Sequence, residues 1–148
     1  MNQLPDYFKH LKQVLMVYID QKIDHWTLQT EGGDYEIPPY VQGLIEFDGS
    51  IHLEATSNEF LEPPLDEKAS QAIRFLGWQL GGETGLPNYW LTSPITTNTA
   101  DELAELLCRT LYEIYGVDDS FTFTMSPHPK EVGIKQASLI FRGENDES

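Results

Sequence analysis

Apolar residues recur near the start of the chain at the spacing of an α-helix. Between residues 5 and 22 they stand three or four positions apart, as Phe8, Leu11, Leu15 and Tyr18. Pro5 lies where the first turn would begin, which suits proline because that position needs no amide hydrogen. The pattern predicts an amphipathic helix from Pro5 to Lys22. Further apolar residues widen the stripe in its second half, so a buried strand there is an alternative.

Alternation of apolar and polar residues predicts strands in the next part of the chain. The segment HWTLQTE alternates Trp26 and Leu28 with polar residues. The alternating segments VQGLIEF and SIHLEATS are separated by Asp48 and Gly49, and an Asp-Gly pair in this position is a strong hairpin signal. The second of them places Ile51, Leu53 and Ala55 on one face, with His52 and Glu54 on the other. An antiparallel hairpin with one solvated face is therefore expected.

Two more helices and several strands are predicted in the second half. Periodic apolar residues indicate a helix over residues 66–76, closed by Gly77, and another over residues 99–115, ended by Gly116. The segments NYWLTS, SFTFTMS and ASLIF have the composition of short strands. Hairpin-linked strands with single interspersed helices are typical of the α+β class. We predict an antiparallel sheet of about four to six strands packed against three helices.

Length and composition limit the domain organisation and the compartment. The 148 residues suit one compact domain, which we expect to span residues 1–142. The final GENDES, residues 143–148, has no apolar side chain and is expected to be a disordered acidic tail. Cys108 is the only cysteine, and the longest apolar run, VLMVYI, is far shorter than the ~20 residues of a membrane span. These features favour a cytoplasmic protein.

The charge of the chain bears on its partners. It has 9 Lys and Arg residues against 24 Asp and Glu residues, for a formal net charge of −15. The basic residues are scattered singly, whereas nucleic acids and anionic membranes are bound by clustered Lys and Arg. We therefore expect neither a nucleic-acid nor a membrane partner. An acidic surface would instead steer basic segments toward the protein.

The stretch FLGWQLGGETGLPNYWLTSP, residues 75–94, is the first candidate for a site. It could be a cofactor cradle, a ligand-binding surface or a corner of the core. A phosphate-binding loop needs a lysine and a hydroxyl residue after its glycines, but here Glu83 stands among them. The glycines therefore favour a turn, and we expect no cofactor.

Other catalytic and metal-binding patterns are weak. The four histidines lack metal-ligand spacing, and Asp118 and Asp119 are expected to cap a turn before Ser120. Cys108 lies among leucines of a predicted helix, which favours a buried, unreactive thiol. We therefore predict a protein without catalytic activity. The weaker alternative is an enzyme without a recognisable motif that uses carboxylates such as Glu54 or Glu83.

Four aromatic residues near predicted loops could form a binding surface: Tyr40, Trp78, Tyr89 and Trp90. Aromatic side chains there can anchor a peptide through a large, rigid contact area. They can equally close the core between sheet and helices, and tryptophan is usually largely buried. Chemistry alone favours the core, and the sequence leaves both interpretations open.

Several segments together resemble a known family. They are PPYVQGLIEFDGSIHLEATSNEFLEPPL, FLGWQL, LPNYWLTSP and TADELAELLCRTLYEIYGV. In this order they resemble the TY-Chap domains, peptide-binding chaperones related to type III secretion chaperones and to YbjN-like proteins. The resemblance covers residues from Pro38 to Val117. The helix before Trp26 and the strands after Asp118 lie outside it.

The resemblance implies a type III secretion chaperone-like fold, a protein or peptide client and no catalysis. The matching motif positions are Tyr40, Val41, Gln42, Gly77, Trp78, Asn88 and Tyr89. With the aromatic argument, the candidate peptide-binding residues are Tyr40, Gln42, Trp78, Asn88, Tyr89 and Trp90. Secretion-type relatives often pair, so a homodimer is a further expectation. The alternative function is an acidic, immunity-like or regulatory protein that masks a basic partner.

Overall fold

The computed structural model describes residues 4–20, 23, 25–45, 49–57, 60–80, 88–94, 99–126 and 139–142. The helices of this part of the chain are α1 (Tyr7–Asp20), α2 (Glu67–Phe75) and α3 (Thr99–Arg109). Its strands are β1 (His25–Glu31), β2 (Tyr40–Ile45), β3 (Ser50–Ala55), β4 (Gln79–Leu80), β5 (Tyr89–Pro94), β6 (Thr122–Ser126) and β7 (Leu139–Arg142).

The strands form one antiparallel sheet in the order β4-β5-β3-β2-β1-β6-β7. The predicted α+β class is confirmed. Six strands have four residues or more, and the two-residue β4 adds a seventh at one edge. In the predicted hairpin, Ile45 lies opposite Ile51 and Val41 opposite Ala55. Gly49 has the positive φ of 87° that glycine accommodates without strain.

Helix α1 confirms the helical interpretation of the first apolar segment, including its second half. Its apolar stripe is buried as Tyr7, Leu11, Val14, Leu15 and Tyr18. The backbone N–H groups of Asp6 and Tyr7 each donate to the Asp119 carboxylate at 2.9 Å. A carboxylate at a helix N-terminus satisfies free amides and complements the helix dipole. Asp119 therefore ties the start of α1 to the chain just before β6.

The turn before β6 forms as expected. The backbone N–H of Ser120 donates to Oδ1 of Asp118 at 2.9 Å, and the Ser120 hydroxyl donates to the same oxygen. The hydrogen bond from the Ser120 hydroxyl is the main cause that lowers the pKa of Asp118, and the bond from the Ser120 backbone N–H adds to it. Both bonds favour the ionised carboxylate. Asp118 thus caps the turn as predicted, whereas the Asp119 carboxylate bonds to the start of α1 instead.

Helix α2 begins with a side-chain cap and ends at the glycine that was expected to close it. The Asp66 carboxylate accepts a hydrogen bond from the Ala69 amide at 2.7 Å. At the other end Gly77, with φ of 106°, donates its backbone N–H to the Arg74 carbonyl at 3.0 Å. The helix buries Ile73 against the core. The predicted boundaries are therefore correct within one residue.

The third helix has the predicted length, but its last turn is wider than an α-helical turn. Residues Thr110–Ile114 form a π-helical turn, in which the Tyr115 amide donates to the Thr110 carbonyl at 3.3 Å. The Thr110 hydroxyl donates to the Leu106 carbonyl at 2.7 Å and accepts from the indole N–H of Trp78 at 3.0 Å. The sequence around the helix does not reveal this partner, because Trp78 comes from another segment.

All three helices pack on one face of the sheet, which we call the covered face. Its strand residues are Trp26, Leu28, Val41, Gly43, Ile51, Leu53, Ala55, Tyr89, Leu91, Phe123 and Met125. The Tyr7 ring of α1 lies 4.6 Å from that of Phe123, and Gly77 after α2 lies against Leu91. Gly43 lies directly opposite Trp26, whose ring occupies the space of a Cβ.

Candidate functional site

The second face of the sheet, which we call the open face, is not covered by any helix of the described part of the chain. It consists of the strand residues that alternate with the core residues, including Thr27, Gln29, Tyr40, Gln42, Leu44, His52, Glu54, Trp90, Thr92 and Thr124. Leu44 is 45% exposed, and Gln29 and Thr92 are also exposed. The open face is therefore an accessible surface of mixed polar and apolar character.

Strand register brings distant residues together on the open face. Gln42 lies opposite Glu54, and Glu54 lies opposite Trp90, so one row crosses β2, β3 and β5. In the next row His52 lies between Leu44 and Thr92. Facing residues on neighbouring antiparallel strands have Cβ atoms about 5 Å apart, close enough for side-chain contact. The two rows place Glu54 and His52 at the centre of the face.

Asn88 holds the Tyr40 and Glu54 side chains in place. Its side-chain amide donates to the Tyr40 hydroxyl at 2.9 Å and to Oε1 of Glu54 at 3.2 Å. Its oxygen accepts from the Ser57 amide at 3.4 Å, and the residue is only 5% exposed. Because a buried amide with three partners is costly to leave unpaired, Asn88 fixes the geometry here. It joins the start of β5 to β2 and β3.

His52 forms the other half of this cluster. Its Nε2 lies 3.4 Å from Oε2 of Glu54, and its Nδ1 lies 3.4 Å from the Thr92 hydroxyl. The imidazole also stacks on the Trp90 indole, with ring centroids 6.1 Å apart and planes inclined by 22°. The His52 and Glu54 side chains are 19% and 17% exposed. Glu54 is thus contacted from two sides while solvent still reaches it.

The open face offers groups that suit an extended polypeptide. The Gln42 carboxamide makes no hydrogen bond to any residue that the structure describes, so both its donor and acceptor are available there. Tyr40 and Trp90 are partly exposed, and aromatic rings with a polar atom are effective contact surfaces for peptides. Strands β1, β2, β3, β5 and β6 contain no Lys or Arg. The side chains of these five strands therefore include no lysine ammonium or arginine guanidinium group.

The six candidate binding residues divide between the two faces. Trp78 and Tyr89 are 2% and 3% exposed and belong to the core, where the Trp78 indole bonds to Thr110. Tyr40, Gln42 and Trp90 lie on the open face, with Asn88 buried behind Tyr40. For Trp78 and Tyr89 the structure therefore selects the core interpretation that the sequence left open.

Sequence reasoning did not propose His52 as a site residue. The period-two alternation had placed His52 and Glu54 on a solvated face, which the structure confirms. Their contact with Trp90, Thr92 and Asn88 depends on the pairing of β3 with β5, two strands far apart in sequence. Alternation was therefore the only available signal, and it did not identify these partners.

Cys108 is confirmed as a buried thiol. It has no exposed surface, and burial raises its pKa to about 12. The Tyr7 hydroxyl lies beside it and donates to the Val117 carbonyl at 2.8 Å, and burial raises the pKa of Tyr7 as well. A thiol that stays protonated and out of solvent is a poor nucleophile.

The remaining chemical predictions concern metals, membranes and the glycine-rich turn. Within the described residues no group of three His, Cys, Asp or Glu side chains could hold a metal ion. None of the helices described is long and apolar enough to cross a membrane. Residues 81–87, which contain Glu83, lie outside the described residues, as does the predicted tail at 143–148. The turn and the tail stay predictions.

The chain matches the family model TY-Chap3, described as T3SS (YopN, CesT) and YbjN peptide-binding chaperone 3, over residues 6–125. The match includes α1, β1 and all but the last residue of β6, which lie outside the segments that carry the resemblance in the sequence. Because it spans most of the chain, the protein belongs to this family of peptide-binding chaperones. No curated protein and no solved structure shows significant similarity to the chain.

Proposed function

We propose that this protein is a chaperone without catalytic activity that binds an extended segment of a partner protein on the open face. The observation that carries this is an uncovered, partly aromatic sheet face in a member of a peptide-binding chaperone family. Trp90 and Tyr40 would supply contact area, and the Gln42 carboxamide would bind the backbone of the client. Glu54, Asn88 and His52 would hold this surface in one arrangement.

The open face suits a client better than the β4 edge of the sheet. A client strand added to an edge depends on a run of unpaired backbone groups. The β4 edge offers two residues, Gln79 and Leu80. The open face spans at least four neighbouring strands, from β1 through β2 and β3 to β5. A segment lying across them could contact several rows of side chains at once.

Selection from a random peptide display library tests the proposal. Peptides enriched on the wild-type protein are measured against the double variant Trp90→Ala/Gln42→Ala and against Tyr112→Ala. Tyr112 is 39% exposed in the π-helical turn and is not part of the sheet, so it controls for loss of any surface aromatic residue. We expect at least tenfold weaker binding to the double variant, as for removal of an interface anchor, and unchanged binding to Tyr112→Ala.

Two outcomes contradict the proposed function. In one, no peptide is enriched above the level on an unrelated acidic protein of equal size. In the other, enriched peptides bind the double variant as tightly as wild type while circular dichroism and urea unfolding show that it is folded.

A cytoplasmic location, a homodimer and a single domain over residues 1–142 are further parts of the proposal. Light scattering at micromolar concentration tests the homodimer.

A further inference from the structure

We propose that the open face contains a subsite for one lysine or arginine side chain of the client, formed by Glu54 and Trp90. The inference rests on the proposed function and specifies the chemistry of the client, a segment with a basic residue. Two observations support it: the Glu54 carboxylate lies at the centre of the open face, and the Trp90 ring lies on the neighbouring strand directly opposite Glu54.

Glu54 can accept a further cation. An ionised carboxylate has about four acceptor positions on its two oxygens. The Asn88 amide occupies one position on Oε1, and His52 lies beside Oε2. The carboxylate is 17% exposed, so an ammonium or guanidinium group can reach it from solvent. Partial burial strengthens such a pair, because fewer water molecules screen it.

Trp90 supplies the second half of the subsite. It lies directly opposite Glu54 in the pairing of β3 with β5. Tryptophan is the aromatic side chain that attracts a cation most strongly over its ring face. A carboxylate and an indole side by side are matched to a cation with an apolar stem, which lysine and arginine both have. The net charge of −15 and the lack of Lys and Arg in β1, β2, β3, β5 and β6 add long-range attraction.

His52 borders the subsite, in contact with Glu54 and stacked on Trp90. The described side chains that face it are Glu54 on its own strand, Trp90 and Thr92 on β5, and Leu44 on β2. Of these only Glu54 ionises, and the next ionisable group in the row is His25, beyond Leu44. Glu54 is therefore the acidic side chain that a cation meets in this part of the open face.

A titration with small probes tests the subsite without a known client. The ¹⁵N-labelled full chain is titrated at pH 8 with Nα-acetyl-arginine methylamide and with the neutral analogue Nα-acetyl-citrulline methylamide. We expect the arginine probe to shift the Trp90 indole resonance and the Glu54 and His52 amides to saturation, and the citrulline probe to leave them unchanged.

Substitutions then locate the charge that matters. Glu54→Gln keeps an oxygen for the Asn88 amide and should weaken arginine binding about tenfold. Glu105→Gln changes the net charge equally on the exposed surface of α3 and should weaken it less than about twofold. Trp90→Leu keeps the carboxylate and should also weaken binding. Equal effects of the two glutamate variants, or equal binding of the citrulline probe, overturn the subsite.

The peptide selection and the arginine titration together separate the subsite from the proposed function. If library peptides require the open face but show no enrichment of basic residues, the subsite fails and the proposed function stands. If the arginine probe binds at Glu54 but no peptide is enriched, the proposed function fails and the subsite stands.

Discussion

The two faces of the sheet are built from the same strands and have opposite properties. In β3, Ile51, Leu53 and Ala55 are buried under the helices, whereas His52 and Glu54 form a hydrogen-bonded cluster that solvent reaches. The covered face is fixed by close packing of apolar side chains. The open face is held by Asn88 and by strand register, and its Gln42 carboxamide makes no hydrogen bond within the described part of the chain. Core packing and the proposed recognition of a client thus fall to alternate residues of one strand.

The tryptophans of the glycine-rich stretch show the same division. Trp78 is 2% exposed and donates to Thr110 in the core. Trp90 is partly exposed and stacks on His52. The two residues look equivalent as aromatic members of one motif, but of the two only Trp90 reaches solvent. One motif therefore contains both a core residue and a surface residue.

The largest difference in stability between variants of the two faces should come from substitutions at adjacent residues of β6. Phe123 is completely buried and Thr124 lies on the open face. Phe123→Ala removes core contacts, including the ring of Tyr7, and should lower the free energy of unfolding by about 3–5 kcal/mol. Thr124→Ala should change it by less than about 0.5 kcal/mol. Urea unfolding measures both, and similar losses would show that the open face is also packed.

A smaller loss of unfolding free energy is expected from a substitution in β2 where it passes beneath Trp26. A Cβ at Gly43 would lie 2.6 Å from the Trp26 ring, so Gly43→Ala should cost about 1–3 kcal/mol through overpacking. Gln42→Ala, one residue earlier on the open face, should cost less than about 0.5 kcal/mol. In a double-mutant cycle, Trp26→Leu should relieve much of the Gly43→Ala penalty. Strictly additive losses would mean that the close approach of ring and backbone is not responsible.

The smallest difference in unfolding free energy is expected between substitutions of Trp78 and Trp90. Trp78→Phe removes the hydrogen bond to Thr110 and should lower the free energy of unfolding by about 1–2 kcal/mol. Trp90→Phe should change it by less than about 0.5 kcal/mol. Acrylamide should quench wild-type fluorescence mainly through Trp90, so Trp90→Phe should lose most of the quenching and Trp78→Phe should retain it. The reverse result would place Trp90 in the core.

Much of the fold was predictable because local patterns and burial agree. The helical spacing of α1, the Asp66 and Gly77 caps of α2 and the alternation in β1, β3 and β6 each indicate the correct element. The π-helical turn at Thr110 and the two-residue β4 were not predicted. Both depend on partners from other segments, Trp78 for the turn and β5 for β4.

The candidate site was predictable only in part, for the same reason. Tyr40, Gln42 and Trp90 were identified as residue types able to bind a peptide, and alternation assigned Glu54 to a solvated face. Sequence reasoning could not separate Trp90 from Trp78 and Tyr89, because exposure depends on which segments cover a residue. Asn88 was predicted as a candidate binding residue, and its hydrogen bonds to Tyr40 and Glu54 could not be predicted from the sequence.

By itself the sequence determined the class of fold, the helices, the longer strands and the alternating faces of the hairpin. These follow from residue spacing, since helix and strand periods place apolar side chains on one side. Only the tertiary structure decided which aromatic residues reach solvent and which residues surround Glu54. The reason is that β3 pairs with β5 across more than thirty residues of chain, so that His52, Glu54, Asn88 and Trp90 meet only after the sheet has formed.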